Sequence, residues 1–275
     1  MSVTSIHPSA IIDPACEIGP GVEIGPGCVL RGEVRLAEGV RLMGMVYMQG
    51  PVRVGPRTTI YPGVCLGFPP QDVKFTLGMA TAGVSIGADT ILREHVTIHA
   101  ASKPPEAGPP TSVGDRCFFM AGSHAGHDVQ VGNDVVLVNN VLLAGHVHLA
   151  DRVTVGGASA IHQFCRIGRF AFVSGLTAIS RDVPPFVIAA ERNLMWGINA
   201  VGLRRAGFPR PHITLLREAY REAFRVPRPR AEQIEVLRTI GADCPPAMEM
   251  AEFVAASKRG IVASSKVGED EDDAG

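Results

Sequence analysis

Seven of the chain's nine histidines fall between residues 95 and 162, and one of them, His127, is followed directly by Asp128. A free imidazole titrates at about 6.5, so it can accept a proton at neutral pH. A general base beside an acidic orienting group suits activation of a hydroxyl for attack on a carbonyl. A glycine close to such a base would leave its backbone N–H open to the oxyanion that the attack creates. Several histidines with an aspartate also suit a zinc ion, and that reading stays open at this stage. Whether any of these groups meet depends on the elements that carry them.

Those elements follow from a repeat of six. Stepping by six from Ile6 gives Ile12, Ile18, Ile24, Leu30, Leu36, Leu42, Met48, Val54, Ile60 and Leu66. A short register follows at Ile86, Leu92 and Ile98, and a long one runs from Val113 to Ile179. Of these 26 slots, 23 hold Ile, Leu or Val, well above the share expected of an unpatterned chain. Neither a helix nor simple alternation produces a strict six. A parallel β-helix does, with short strands joined by tight corners and three hexads, or 18 residues, per coil. Coils would stack about 4.8 Å apart. The slot after the apolar one is often Gly, as at Gly19, Gly25, Gly55 and Gly156. That choice is expected for corners with unusual backbone angles.

An 18-residue coil turns sequence numbers into neighbours. His127, Gly145 and Gln163 are 18 apart and should stack in one column. Asp128 and His146 should stack in the column beside it. A base, an acidic partner and an exposed glycine N–H therefore meet by spacing alone.

The register breaks between Leu66 and Ile86 and between Ile98 and Val113, by intervals that are not multiples of six. Residues 68–84 and 100–111, rich in proline, are expected as loops thrown out from the coils. The β-helix is expected over 1–185. Helical spacing predicts α-helices over 194–206, 211–226, 229–241 and 246–258 in a domain spanning 186–262. An acidic tail, 263–275, is expected to be disordered.

Composition excludes several classes. The formal charge of −1 argues against nucleic acid or membrane binding by a global field. No apolar run is long enough for a membrane span, and the start, MSVTSIHPSA, does not read as a secretory signal. Six scattered cysteines without a CxxC pair read as reduced thiols of a cytoplasmic protein. The stretch 191–266 holds 13 Lys or Arg against 8 Asp or Glu, a balance suited to an acidic protein partner.

The strings GSHAGHDVQVGN (122–133), LLAGHVHLAD (142–151), GGASAIHQFCRIG (156–168) and RDVPPFVIA (181–189) resemble the hexapeptide-repeat acyltransferases that act on UDP-N-acetylglucosamine in lipid A biosynthesis. PQDVKF (70–75), EHVTIH (94–99) and GINAVGLRRAGF (197–208) extend the resemblance over nearly the whole chain. It implies an all-β left-handed parallel β-helix with a smaller α-helical C-terminal domain. It implies transfer of an (R)-3-hydroxyacyl chain from acyl carrier protein to the sugar 3-hydroxyl, within a homotrimer and without cofactor or metal. His127 would be the general base, Asp128 its support and the Gly145 N–H the oxyanion donor. His124, His146, His162 and Gln163 would line the cleft. Asp72 and Lys74 would contact the nucleotide sugar, and His99, Asn199 and Arg205 would hold the substrate and its phosphates. Gly175 and Met195 would gauge acyl length.

Two departures concern the acceptor. Val201 stands where the family has an acidic residue, and Ala206 where it has a second Arg. The stretch ERNLMW (191–196) is one residue shorter than usual. These leave N-acylation of a 3-amino UDP-sugar open as an alternative. A zinc-dependent hydratase of the same fold is the other rival. The N-acyltransferase relatives carry an extra N-terminal uridine-binding domain, for which hexads starting at Ile6 are read as leaving no room.

Overall fold

A computed structural model describes residues 3–76 and 78–265. The chain winds into a left-handed parallel β-helix of about ten turns, capped by a C-terminal group of helices. Most strands are only two residues long, and each pairs with the strand one coil away rather than with its sequence neighbour. Three flat sheets result, of 12, 9 and 8 strands, here called the first, second and third faces. Ser5 pairs with Glu23 and Glu23 with Arg41, which is the expected 18-residue coil.

Beyond the first coil, most hexads bury two side chains. Ile24, Leu30, Leu36 and Leu42 point inward at the expected slot, and Val22, Val34 and Val40 fill the position two residues earlier. The interior is a column of aliphatic side chains, and this burial stabilises every coil against its neighbours.

The two breaks in the repeat are insertions that leave the stacking intact. Thr59 pairs with Ile91 and Ile91 with Phe118, spacings that exceed one coil by 14 and 9 residues. Both excursions leave from the same edge, between the second and third faces. They also hold each other: the Ala82 N–H donates to the Lys103 carbonyl at 2.7 Å, and the Ala100 N–H to the Phe68 carbonyl at 2.9 Å.

The glycine after each inward slot has a different cause from the one expected. Gly19, Gly25, Gly55 and Gly156 do not have left-handed backbone angles. They are glycine because the next coil runs against them: a Cβ on Gly156 would lie 2.4 Å from the Gly175 nitrogen. The left-handed residues come two positions later and include Asp89, Asp128, Asn140 and His146. Asp, Asn and His tolerate this conformation better than most residues.

The C-terminal segment departs from expectation in three ways. Residues 194–198 form a strand, not a helix, and pair antiparallel with Val187–Ala190. The last coil would otherwise end the first face in an open edge, and this hairpin covers it. The expected domain boundary at 185 therefore falls within a continuous sheet. Ala263–Ser264, expected in a disordered tail, pairs with Leu194–Met195. The acidic run at 269–273 lies outside the described residues.

The helices are α1 (Ala200–Arg205), α2 (Arg210–Tyr220), α3 (Arg230–Gly241) and α4 (Pro245–Ala256), with a π-helical turn Arg221–Arg225 after α2. Arg169 ties α4 to the β-helix by a two-nitrogen contact with Glu249, 2.6 Å at its shortest. Among the described residues, no helix is long and apolar enough to cross a membrane.

Adjacent glycines separate close approach from mere turn chemistry. Gly156→Ala should destabilise the protein by about 2 kcal/mol or more, because backbone must move. Gly157→Ala, whose Cβ would sit 3.4 Å from its nearest neighbours, should cost well under half of that. Urea unfolding of the two variants measures the difference, and equal losses would refute this account of the repeat glycines.

Candidate active site

The coils bring the expected columns together. His127 Nδ1 lies 2.6 Å from Asp128 Oδ2, and His146 Nε2 lies 3.6 Å from the same oxygen. The rings of His127 and His146 meet edge to face, with centroids 5.1 Å apart. Phe164, one coil beyond His146 in the same column, stacks on its ring at 4.5 Å.

Asp128 is mostly buried. Burial pushes its carboxyl pKa up, but hydrogen bonds from His127 and Ser102 outweigh burial and hold it below the usual range. It is therefore a carboxylate at neutral pH and can only accept. Nδ1 of His127 must then carry the shared proton, which leaves the Nε2 lone pair as the free, basic position.

Nε2 faces Gly145. A Cβ added to Gly145 would lie 2.7 Å from both Nε2 and Cε1 of His127. The corner position that Gly145 occupies has an N–H turned away from the inter-coil ladder. At some corners that donor is removed by proline, as at Pro20, Pro26, Pro56 and Pro62, at others it is capped from the next coil, and at others again, Asn139, Gly157 and Gln163 among them, it is left open. The N–H groups of Ala88, Asp115 and Asn133 donate to Asp115, Asn133 and Asp151 side chains at 2.7–2.8 Å. Among the described residues, the Gly145 N–H has no such partner. A basic nitrogen and an open N–H donor thus stand side by side, the pairing required for attack on a carbonyl.

Both border a groove of about 850 Å³ that runs along the second face. Its floor is apolar, with Leu142, Ala160 and Ala178 stacked in register. Polar groups line its start (Thr97, His124, Gln71) and its far end (Ser180, Arg192). His124 hydrogen-bonds Thr97 Oγ1 at 2.8 Å, and burial, with a smaller push from His99, lowers its pKa to about 4. It is a neutral polar group in an apolar wall. Burial also lowers the pKa of His146, against the opposing pull of Asp128.

Of the expected site residues, His124, His127, Gly145, His162 and Gln163 line the groove, while Asp128 and His146 flank it. His99 packs on His124 and bonds the Pro69 carbonyl at 2.7 Å, tying down the loop that carries Gln71, Asp72 and Lys74. Asn199 and Arg205 are elsewhere, at a different edge of the solenoid. Asn199 caps α1 through Gly202 N and donates to the Phe170 carbonyl at 2.9 Å, so both ends of its amide serve the fold. Met195 is 1% exposed, beneath Tyr220, and does not line this groove. Gly175 also lies off the groove, at the corner beyond Gly157.

Sequence reasoning passed over Phe164, which the 18-residue step from His146 would have found. It also passed over Ser180, one coil beyond His162, and over Arg192, which the turn of a hairpin whose second strand was expected as helix brings beside Ala178. A metal is the other use of this cluster. His127, Asp128 and His146 offer three ligand atoms within 4.8 Å of one another. Yet 2.6 Å between Nδ1 and Oδ2 is a hydrogen bond, shorter than the ~3.3 Å that two ligands of tetrahedral zinc keep between them.

The His124 shift fixes a pH effect. An imidazole held near 4 in the fold and about 6.5 when unfolded binds its proton first in the unfolded chain. Stability should therefore fall as pH drops through that window. Asp128 acts in the same direction only from its ordinary value of 3.8 down to its lowered one, beneath the window. Urea midpoints between pH 7 and pH 4 should decline in the native protein and decline less steeply in His124→Gln. Parallel curves would refute the assignment.

Comparison with known proteins agrees with this geometry. Residues 182–262 match the family model described as UDP-N-acetylglucosamine O-acyltransferase, domain 2. The chain is 38% identical over 98% of both sequences to the acyl-[acyl-carrier-protein]–UDP-N-acetylglucosamine O-acyltransferase of Sinorhizobium fredii. It is 41% identical to the enzyme of that name from Thermodesulfovibrio yellowstonii, over 94% of this chain and 99% of that one. The crystal structure of Francisella novicida UDP-N-acetylglucosamine acyltransferase superposes with a TM-score of 0.90 at 31% identity, covering 95% of this chain and 94% of the other. On the strength of these full-length relatives and the solenoid they share, the chain belongs to the acyl-[acyl-carrier-protein]–UDP-N-acetylglucosamine O-acyltransferase family.

Proposed function

We propose that this protein moves an (R)-3-hydroxyacyl chain from acyl carrier protein to the 3-hydroxyl of UDP-N-acetylglucosamine, the first step of lipid A biosynthesis, with His127 as the base. The observation that carries the mechanism is the free Nε2 of His127 beside the open N–H of Gly145. Nε2 takes the hydroxyl proton as the sugar oxygen attacks the thioester carbonyl. The tetrahedral oxyanion is received by the Gly145 N–H. Collapse forms the ester and breaks the carbon–sulfur bond, and the imidazolium returns its proton to the departing thiolate. Asp128 holds the ring with Nε2 outward and stabilises the imidazolium.

The apolar groove suits the acyl chain. From the Gly145 coil to Arg192 it spans three coil spacings, about 14 Å. Asp72 and Lys74 reach over from the loop beside His146, where a nucleotide sugar would enter. Asp72 is close enough to His146 to pull on its charge.

One subunit supplies only one wall. The outward side chains of the second face stay largely apolar from Ile11 through Val29, Tyr47 and Leu142 to Ala178, whereas those of the third face are polar, from Glu17 and Arg35 to Arg166. An apolar strip beside a catalytic groove fits a neighbouring copy of the chain, as in a homotrimer. A second copy is also what Arg205 needs to reach a phosphate at this site.

His127→Ala should lower the acyl-transfer rate by about 10²–10⁴-fold while leaving the melting temperature near that of the native protein. The assay pairs UDP-N-acetylglucosamine and its 3-amino analogue with carrier-bound 3-hydroxyacyl chains. Undiminished transfer by His127→Ala would overturn the role of the base. Transfer to the amino sugar alone would overturn the acceptor.

A further inference from the structure

We infer that Thr111 is a positioning residue for the catalytic pair, replacing a backbone carbonyl that the inserted loop has removed from the corner beneath Asp128. The inference rests on the reading of His127 as the base.

At regular corners the left-handed residue donates its N–H to a carbonyl one coil back. Asp134 donates to Asp115 at 2.9 Å, Asn140 to Ala121 at 3.0 Å, His146 to His127 at 3.0 Å and Arg152 to Asn133 at 2.8 Å. The pattern satisfies an N–H that the turn would otherwise strand, and it offsets the cost of about 1–2 kcal/mol that a side chain meets in this conformation.

Asp128 occupies the same position, with φ at 60°. The corner beneath it does not exist. After Ile98 the chain leaves the coil, and it rejoins the third face only at Thr111. The Asp128 N–H donates instead to Thr111 Oγ1 at 2.8 Å. Thr111 is fully buried and is itself held by the Gly83 carbonyl, to which its N–H donates at 3.1 Å. The outgoing arm of the same loop supplies the other grip, because the Ser102 N–H donates to Asp128 Oδ1 at 3.1 Å. The two arms of one insertion thus fix the backbone and the carboxylate of Asp128, leaving Oδ2 for His127. Thr111 does not line the groove, so its effect on the reaction passes through Asp128.

The test compares Thr111→Val, which keeps shape and deletes the acceptor, with Thr111→Ser, which keeps the hydroxyl. Thr111→Val should lower kcat ten- to a hundredfold with KM for both substrates changed less than threefold. Thr111→Ser should restore most of the rate. In an Asp128→Ala background, Thr111→Val should cost nothing further, a readout that a purely structural role would not give. Melting curves check that each variant folds. Should Thr111→Val fail to fold, Thr111→Ala in both backgrounds gives the same comparison. A native kcat in Thr111→Val, or an equal loss in both backgrounds, overturns the inference. If His127→Ala and Asp128→Ala also keep the native rate, the reading of the base fails instead, and the two failures are distinguishable.

Discussion

The inter-coil hydrogen-bond ladder is the constraint from which the rest of this molecule follows. Each coil must return after 18 residues so that its N–H groups meet the carbonyls of the coil beside it. Close stacking at the corners forces glycine where a Cβ would strike the next backbone. Closing three corners per coil puts a left-handed residue at most of them, and Asp, Asn and His take that place at several. Asp128 and His146 are such corner residues. The carboxylate of the candidate site and its second histidine therefore sit on a skeleton fixed by the needs of stacking.

The sequence made the repeating part of this plain and hid the rest for definite reasons. A strict period fixes neighbours, so His127 against Gly145 and Asp128 against His146 could be read off without coordinates. Insertions break that arithmetic. Thr97 pairs with His124 across 27 residues, and Thr111 reaches Asp128 only because a loop interrupts the coil. The hairpin over 187–198 was hidden differently: Leu194, Met195 and Ile198 fit helical and extended spacing alike, and only the open sheet edge beside them decides. The turn of that hairpin is also what brings Arg192 to the groove.

Burial sets the polarity of the site as much as charge does. The groove wall keeps His124 neutral by desolvation, so it can bond without adding a cation beside the apolar floor. Asp128 is nearly as enclosed, yet it stays ionised because His127 and Ser102 bond to it. Two groups a few residues apart thus differ in charge, one neutral by burial and the other ionised by the hydrogen bonds it accepts. Such divergence is the usual physical basis for dividing roles within a site.

The unladdered corner N–H turns the solenoid into something like a row of identical sockets, one per corner per coil. Proline plugs some of them, an Asp or Asn from the adjoining coil plugs others, and several, at Asn139, Gly157 and Gln163 among them, stand open. Catalysis on this scaffold therefore asks for no new donor. It asks for an imidazole set against a socket that already stands open, as His127 is at Gly145. By that logic a reactive centre could be relocated along the rod in whole-coil steps, and silenced by a single plug, without any change to the aliphatic column inside.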